Sequence, residues 1–342
     1  MMQALHFIAS GRFEWREQKP PVLAAAADAI VRPLAVARCD LDLYIAAGVV
    51  KMRGPFAFGH ECVAEVVDAG EAAGVQPGQR VIVPFQLSCG RCPACQRGHT
   101  GSCEAYPPLA NFGLGGAPRT DYGGALSGAM HVPFADHMLV PLPEGLDPVA
   151  VASASDNIAD GWRAVGPQLA ARPGASVLVV GGLAQSVGLY AAGCAVAAGA
   201  GRVLYLDDDE DRRERAARLG AEVAPLALAE GRTPTDLFDI VVEAAGTAPA
   251  LEFAIRSAAR NAVLTSVAIH LDRLTPVPLT EAYYRGLTFV TARVDSRAHL
   301  PAVVGCLACG HFHPEHVTHK VLPFAQAGEA MTNPGPKLVF VP

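Results

Sequence analysis

The segment 88–103 carries four cysteines at a spacing that suits metal chemistry. It reads SCGRCPACQRGHTGSC, and its thiols belong to Cys89, Cys92, Cys95 and Cys103 in the pattern C-x2-C-x2-C-x7-C. A cluster of this kind can form disulfides, close a structural metal site or take part in catalysis. The compartment of the protein and the rest of the chain decide among these three.

The remaining sequence favours a reducing compartment. The N-terminal MMQALHFIASGRFEWREQKP lacks the basic and then apolar segments of a signal peptide. The longest apolar stretches fall short of the ~20 residues of a membrane span. We therefore expect a soluble, cytoplasmic protein in which the nine cysteines are mostly thiols. A thioredoxin-type site needs one CxxC, whereas four thiolates close a tetrahedral zinc shell without room for substrate. We interpret 89–103 as a structural zinc lobe and expect the active site elsewhere.

Length and composition predict two packed domains. The chain has 342 residues, of which 51% are hydrophobic and 18% charged, so a disordered protein is excluded. Its net charge of −6 and the lack of a Lys/Arg run argue against a nucleic-acid partner.

The pattern of apolar and turn-forming residues changes near residue 150. Short apolar runs between glycines and prolines, such as 62–70 and 80–85, predict antiparallel strands in 1–150. From 151 to 290, strands at 175–182 and 202–207 alternate with helices at 186–200 and 209–221. This alternation predicts an α/β doubly wound parallel sheet. The tail, 291–342, is mixed, and we expect it to rejoin the first domain.

The turn GGLAQSVG after the first of these strands is a candidate dinucleotide site. Leucine and glutamine stand at 183 and 185, where a G-x-G-x-x-G ending at Gly188 needs glycine, but Gly181 and Gly182 precede them. We place the pyrophosphate at the helix start, at Ser186 and Val187. A parallel-sheet turn without a nucleotide is the alternative.

An acidic residue at the end of the next strand strengthens the nucleotide interpretation. Asp207 lies 19 residues after Gly188, where an acid binds the adenosine ribose. With Asp208 and Asp209 it would repel a 2′-phosphate, so the sequence predicts NAD rather than NADP. Arg212 either covers the adenosine or is a solvated helix charge, and the sequence leaves both open.

Two further segments complete a pattern that resembles a known family. RCDLD at 38–42 contains Cys39 and Asp42, and GHE at 59–61 contains His60 and Glu61. A lone Cys or His is usually a packing residue. In this order, with the cysteine lobe and the NAD segment, they resemble the zinc-dependent medium-chain alcohol dehydrogenase family over essentially the whole chain. The resemblance implies a GroES-like, mainly antiparallel β catalytic domain at 1–150, a Rossmann domain at 151–290 and a tail that returns to the catalytic domain.

The resemblance also implies a second zinc, which would be catalytic. Cys39 and His60 match its first two ligands, and Glu61 matches the glutamate behind the metal. The third ligand falls in SDNIADGWRA at Asp156, where most members have cysteine and some bacterial ones aspartate. Carboxylate is a harder ligand than thiolate, so we expect weaker zinc retention and a more Lewis-acidic metal. This aspartate and HVPFAD at 131–136 loosely resemble the glutathione-independent formaldehyde dehydrogenase branch.

The chemistry implied is hydride transfer between NAD(H) and an alcohol/aldehyde or ketone on the open zinc position. Homodimers or homotetramers are implied as well. Some residues depart from the family. Leu41 replaces a proton-relaying Ser or Thr, and Asp160 replaces a threonine near the nicotinamide. Tyr44 replaces a histidine and would be a poor substitute for it as a catalytic proton carrier. Asp42 or a water chain would then carry the proton, or the substrate would need no such relay. Asp42 would in the latter case only orient the ligands.

Two other functions remain open at this point. One is a biosynthetic zinc reductase or dehydrogenase for an activated carbonyl or enal, which would suit the altered relay. The other is a non-catalytic NAD-binding protein. We interpret CLACGHFHPEH at 306–316 as a helix end capped by Gly310 rather than a third metal site, and Cys194 as a core residue.

Overall fold

The computed structural model describes residues 1–115, 122–226 and 236–342. Within these ranges the chain forms sixteen strands and ten α-helices. The elements up to residue 171 are β1 (Met2–Ala9), β2 (Arg12–Gln18), β3 (Ala29–Ala37), α1 (Asp40–Ala46), β4 (Phe56–Ala57), β5 (Glu61–Ala69), β6 (Arg80–Val83), α2 (Pro93–Gln96), β7 (Met130–Val132), α3 (Ala135–Met138), β8 (Val140–Pro141) and α4 (Asn157–Ala171). Those that follow are β9 (Ser176–Val180), α5 (Gln185–Ala197), β10 (Arg202–Leu206), α6 (Glu210–Arg218), β11 (Glu222–Ala224), β12 (Phe238–Glu243), α7 (Ala248–Arg256), β13 (Ala258–Ser266), α8 (Leu279–Arg285), β14 (Thr288–Thr291), α9 (Ser296–Ala308), β15 (Lys320–Pro323), α10 (Ala327–Ala330) and β16 (Leu338–Val341). None of the helices in these ranges is long and apolar enough to cross a membrane.

The described residues fall into two compact units. The first comprises Met1–Ala159, Val294–Ala308 and Thr318–Pro342, and the second comprises Asp160–Arg293 and Cys309–Val317. The first unit thus runs past the predicted boundary at residue 150, and α4 begins in it.

The first unit is built mainly from antiparallel strands. A three-stranded sheet has the order β2-β1-β4, and a seven-stranded sheet has the order β15-β16-β3-β5-β6-β8, with β7 also paired to β3. Only the β15–β16 pair among these is parallel. Its core includes a cluster of aromatic rings, in which Phe7 lies 5.1 Å from Phe56 and 6.3 Å from Phe58 between ring centroids. Burial of such rings removes a large apolar area from water and fixes the strands that carry the metal-site residues.

The second unit is a parallel sheet with helices. Its strand order is β11-β10-β9-β12-β13-β14, and every neighbouring pair is parallel. Val177, Leu178, Val179 and Val180 of β9 are at most 1% exposed, as expected for a central strand covered on both faces. The strand order reverses between β9 and β12, where open α/β sheets bind ligands at the carboxyl ends of the strands. The predicted fold class, a doubly wound parallel sheet with a mainly antiparallel unit, is confirmed.

Candidate metal centres and nucleotide site

The four cysteines of the lobe converge in the first unit. The Sγ atoms of Cys89, Cys92, Cys95 and Cys103 all lie within 4.8 Å of one another, and all four thiols are free. Four sulfur atoms at this separation suit one tetrahedral zinc ion. The structure therefore brings together the residues that the spacing predicted for the structural zinc.

Backbone amides of the lobe point at its sulfur atoms. The Cys89 amide donates to Cys103 Sγ over 3.3 Å, and the Arg91 and Cys92 amides each donate to Cys89 Sγ over 3.4 Å. Hydrogen bonds to sulfur favour the thiolate, which is the form that binds metal. At Cys92 such bonds, first from the Cys95 amide and then from the Glu104 amide, lower the pKa to about 6.

A second group of ligand atoms lies in the same unit. Cys39 occupies the N-cap of α1, His60 directly precedes β5, and Asp156 follows a 3-10 turn at Ala152–Ser155. Their ligand atoms, with one from Glu61, lie within 4.8 Å of one another. All four residues are buried, with at most 6% of each exposed. Sulfur, nitrogen and carboxylate oxygen together form a donor set that zinc accepts in open catalytic sites.

The orientation of His60 leaves one ring nitrogen for a metal. Its Nδ1 lies 3.6 Å from Asp42 Oδ1, and both buried atoms lack a hydrogen-bond partner within the described residues. The other Asp42 oxygen accepts a 3.0 Å hydrogen bond from the Cys39 amide. A shift that brings Nδ1–H onto Asp42 fixes the tautomer and frees Nε2, which now faces Asp156 Oδ2 at 3.2 Å. The two orphaned atoms thus fit a centre in which Nε2 binds a cation.

Electrostatics at this group also fit a dication. Burial raises the pKa of the Cys39 thiol far above its ordinary value, and the Asp156 and Glu61 carboxylates add to that rise. Burial disfavours the charged His60, but Asp42 and Asp156 outweigh it and raise its pKa to about 9. Burial also opposes ionisation of Asp156, but the hydrogen bond from His60 lowers its pKa overall. A divalent cation repels the protons on sulfur and imidazole and satisfies the negative charge that now collects there.

Lys337 is a member of this site that sequence reasoning missed. It is fully buried, and its Nζ lies 2.9 Å from Glu61 Oε2. Ser153 Oγ donates to the same oxygen over 2.6 Å. Burial raises the pKa of Glu61 to about 7, and the nearby ammonium opposes that rise. Lys337 and Ser153 thus engage the Glu61 carboxyl group, and Cys39, His60 and Asp156 remain as the candidate metal ligands.

Asp42 and two residues that depart from the family, Leu41 and Tyr44, occupy different surroundings. Asp42 is 1% exposed and contacts the Cys39 amide, which fits orientation of the ligands. Leu41 packs, partly buried, against the hydrophobic core. Tyr44 is also partly buried on α1, and its carbonyl accepts hydrogen bonds from Val49 and Val50.

Asp160 lies in the second unit as part of an ion pair. Its carboxylate accepts from Arg163 Nε, and Arg163 also donates to the Ala292 carbonyl over 2.8 Å. The side chains are 15% and 8% exposed. A partly buried, paired carboxylate therefore stands where the resemblance placed the replacement of a threonine.

The glycine turn at the end of β9 is tightly packed. A Cβ on Gly181 would collide with Asp207 Oδ2, and one on Gly182 would lie 2.7 Å from the Ala245 Cα. Gly188 lets α5 approach β12, since its Cβ would stand 3.1 Å from the Ala244 Cβ. Ser186 and Val187 are buried in the first turn of α5. The backbone of this turn is thus packed closely enough to require glycine, although its sequence departs from the G-x-G-x-x-G motif.

Asp207 and Arg212 form a bidentate ion pair. Arg212 donates from Nε over 2.7 Å and from Nη2 over 2.6 Å to the two carboxylate oxygens. Tyr205 Oη donates to Oδ2 over 2.8 Å, and the Asp209 amide donates to Oδ1 over 3.0 Å. The Arg212 side chain is only 16% exposed, so it is not a solvated helix charge. Its role is to fix the orientation of Asp207 at the end of β10.

Comparisons with known proteins agree with this arrangement. Residues 25–144 match the family model of the alcohol dehydrogenase GroES-like domain, and residues 186–308 match that of the zinc-binding dehydrogenases. The solved structure of alcohol dehydrogenase TADH from Thermus sp. ATN1 is 30% identical, with a TM-score of 0.87 and coverage of 99% of both chains. The chain belongs to the zinc-dependent medium-chain alcohol dehydrogenase family. The resemblance predicted from the sequence is thereby confirmed.

Other relatives show where within the family the resemblance is weak. A probable zinc-binding alcohol dehydrogenase of Mycobacterium tuberculosis (strain ATCC 25618 / H37Rv) is 29% identical over 332 residues, which are 96% of this chain and 84% of the relative. The glutathione-independent formaldehyde dehydrogenase of Pseudomonas aeruginosa (strain LESB58) is 31% identical over 206 residues, only 58% of this chain and 50% of that protein. The medium-chain dehydrogenase family is therefore shown, and the formaldehyde dehydrogenase branch is only loosely suggested.

Proposed function

We propose that this zinc-binding dehydrogenase transfers a hydride between NAD(H) and a small alcohol/aldehyde or alcohol/ketone pair. The observation that carries the proposal is the buried convergence of Cys39, His60 and Asp156, beside which Glu61 is paired with Lys337. Three protein ligands leave a position for a substrate oxygen, unlike the closed cysteine lobe. In the oxidative direction an alcohol and NAD⁺ give a carbonyl compound, NADH and a proton.

The residues of the site have separate roles in metal binding and ligand orientation. Cys39, His60 and Asp156 would hold the zinc, which supplies a Lewis acid that polarises the substrate oxygen. Asp42 orients two of them, because it accepts from the Cys39 amide and faces His60 Nδ1. Glu61 places a second carboxylate behind the ligands. The buried surroundings exclude water and strengthen each of these interactions.

The preference for NAD rests on Asp207. Asp207 already accepts four hydrogen bonds, two from Arg212, one from Tyr205 Oη and one from the Asp209 amide. These donors fill the roughly four acceptor sites of a carboxylate, so the ribose hydroxyls would bind Asp207 by taking the place of one of them. Asp208 and Asp209 add negative charge on the exposed side, which disfavours a 2′-phosphate. The glycine turn and the start of α5 would receive the pyrophosphate.

The proton path is the main point on which a second candidate function differs. Leu41 offers no hydroxyl and packs against the core, which favours a reductase or dehydrogenase for an activated carbonyl or enal that needs no relay at this position. In the leading proposal a water chain carries the proton outward. Both candidates use the same zinc and the same nucleotide.

We further propose that the protein is a cytoplasmic homodimer or homotetramer. Within the described part of the chain β14 lies at the end of its sheet. Nearby, on α8, Leu279, Tyr283 and Tyr284 are 72%, 80% and 79% exposed. Large exposed apolar side chains beside an open sheet edge support self-association. Sedimentation of the purified chain tests this, and a monomer at micromolar concentration would contradict it.

The activity is tested with a panel of short, aromatic and branched alcohols and their aldehydes, together with enals and activated carbonyl compounds. NADH fluorescence is followed with zinc present, in both directions. Turnover of a simple alcohol or aldehyde supports the leading proposal, whereas turnover restricted to enals or activated carbonyls supports the second. NAD binding without turnover of any member would contradict both.

A further inference from the structure

The side chain of Asn157 touches two of the three metal ligands. It follows Asp156 directly, at the first position of α4, and is 3% exposed. Its Nδ2 lies 3.3 Å from Cys39 Sγ and 3.1 Å from Asp156 Oδ2. On its other side, Oδ1 accepts a 2.7 Å hydrogen bond from Lys337 Nζ.

Lys337 settles which way the amide of Asn157 points. An ammonium group has three protons to donate and no acceptor. The Lys337 ammonium donates to the Arg38 carbonyl over 2.9 Å, to Glu61 Oε2 over 2.9 Å and to Asn157 Oδ1 over 2.7 Å. Since only the oxygen of an amide can accept, the Asn157 NH2 group must face Cys39 and Asp156.

The anchor of this contact is rigid. Lys337 is fully buried and immediately precedes β16. Arg38, also buried, donates to the carbonyls of Met331 and Gly335 in the segment that leads to it. Asn157 is therefore held by a fixed cation while its amide protons reach Cys39 Sγ and Asp156 Oδ2.

We propose that Asn157 is a positioning residue of the metal site. It shares its two amide protons between the Cys39 sulfur and the Asp156 carboxylate, holds both at binding distance, and offsets part of their negative charge. This inference rests on the proposed metal site of the dehydrogenase, but it concerns the strength of metal binding rather than turnover. Partners that orient metal ligands typically change metal affinity by about 10–100-fold when removed.

The test compares metal binding in Asn157→Ala and Asn157→Leu with the unchanged protein. Leucine keeps the branch point and the number of side-chain heavy atoms of asparagine, although it is bulkier, and has no amide protons, whereas alanine opens a small space. Zinc affinity of the Cys39 site is measured by competition with a chromogenic chelator. We expect both variants to lose about 10–100-fold in affinity.

Cobalt provides a readout that a purely structural role would not move. The cysteine lobe is kept filled with zinc and Co²⁺ is loaded at the Cys39 site, with one ion of each per chain verified by mass spectrometry. A hydrogen bond to a thiolate lowers the energy of the sulfur electrons, so its loss shifts the sulfur-to-cobalt charge-transfer band to longer wavelength. We expect this shift in both Asn157 variants.

Asn111→Ala is the matched control. Asn111 is a buried asparagine of the same unit, 7% exposed, whose Nδ2 donates to the Leu109 carbonyl rather than to a metal ligand. Its loss should lower thermal stability without moving the cobalt band or the zinc affinity. Unchanged affinity and band position in both Asn157 variants would overturn the inference. Absence of a second metal from the unchanged protein would instead overturn the proposed function.

Discussion

Asp156 is the ligand whose replacement probes the metal site most sharply. Asp156→Ala removes one of three ligands and also the acceptor of two buried donors. These are His60 Nε2, at 3.2 Å, and Asn157 Nδ2, at 3.1 Å. The substitution therefore acts on metal retention and, separately, on the stability of the metal-free protein.

The size of the second effect follows from the two lost hydrogen bonds. A buried donor left without an acceptor costs about 1–3 kcal/mol, so two of them predict a loss of about 2–6 kcal/mol. Water that enters the space left by the carboxylate moves the expected loss toward the lower end of that range. Against a typical total of about 5–15 kcal/mol, this change is large enough to measure by denaturant unfolding of the metal-free protein.

The assay counts metal ions per chain by mass spectrometry and measures unfolding in parallel. Asp156→Ala should retain one ion, in the cysteine lobe, and should not turn over substrate. Asp156→Cys, which supplies a softer anionic ligand, should retain two ions and hold the second more tightly than aspartate does. Two ions in Asp156→Ala, or an unfolding free energy equal to that of the unchanged protein, would refute the reasoning.

Four further predictions concern other residues. Asp207→Ala should weaken NAD binding by about 10–100-fold, because charged hydrogen bonds to the ribose are worth about 1.5–3 kcal/mol, while NADP binding changes less; titration of both nucleotides measures this. Leu41→Thr should preserve or raise oxidation of simple alcohols if the missing proton relay limits the rate, as steady-state kinetics will show. Burial lowers the pKa of His137 below 6.5, with Arg297 adding to the effect. The neutral side chain contributes its full stability above about pH 6.5, and that contribution is lost as the pH falls through the lower pKa of the folded state, because the unfolded chain binds the proton more readily. The unfolding free energy of His137→Gln should therefore change less between pH 7 and pH 5 than that of the unchanged protein. Lys337→Met should cost about 3–5 kcal/mol by leaving Glu61 buried without its cation, and Glu61→Gln in the same chain should recover part of that loss in denaturant unfolding.

Each of these predictions has an outcome that contradicts it. An unchanged NAD/NADP preference would remove Asp207 from the ribose site. Collapse of activity in Leu41→Thr would show that the leucine shapes the substrate pocket. An equal acid-side loss of stability with and without His137 would contradict its burial effect, and an additive Lys337–Glu61 double variant would show that the pair is not coupled.

Local sequence signals were sufficient for much of the fold. The runs at 62–70, 80–85 and 175–182 became β5, β6 and β9, because alternating or continuous apolar patterns report directly which faces are buried. Cys194, expected in the core, is fully buried in α5. The cysteine lobe was also readable, since its four ligands lie within 15 residues of one another.

Long-range partnerships were not readable from the sequence. Lys337 contacts Glu61, which is 276 residues away in the sequence, and Asn157, which is 180 residues away. The residues that flank each of them in the sequence do not indicate these contacts. Arg212 stayed undecided between two roles, because its bond to Asp207 depends on how a strand, a turn and a helix follow one another. The resemblance to a family supplied Cys39, His60 and Asp156, which composition and spacing alone would have left as packing residues.

The central claim is that catalysis occurs at the Cys39–His60–Asp156 metal with NAD as hydride acceptor. The most direct test follows NADH formation from the best alcohol of the panel while the more weakly held metal is removed by a chelator and then restored as zinc. The account predicts that activity disappears with one ion per chain and returns when the second is replaced. Turnover that persists with the second ion gone would contradict it.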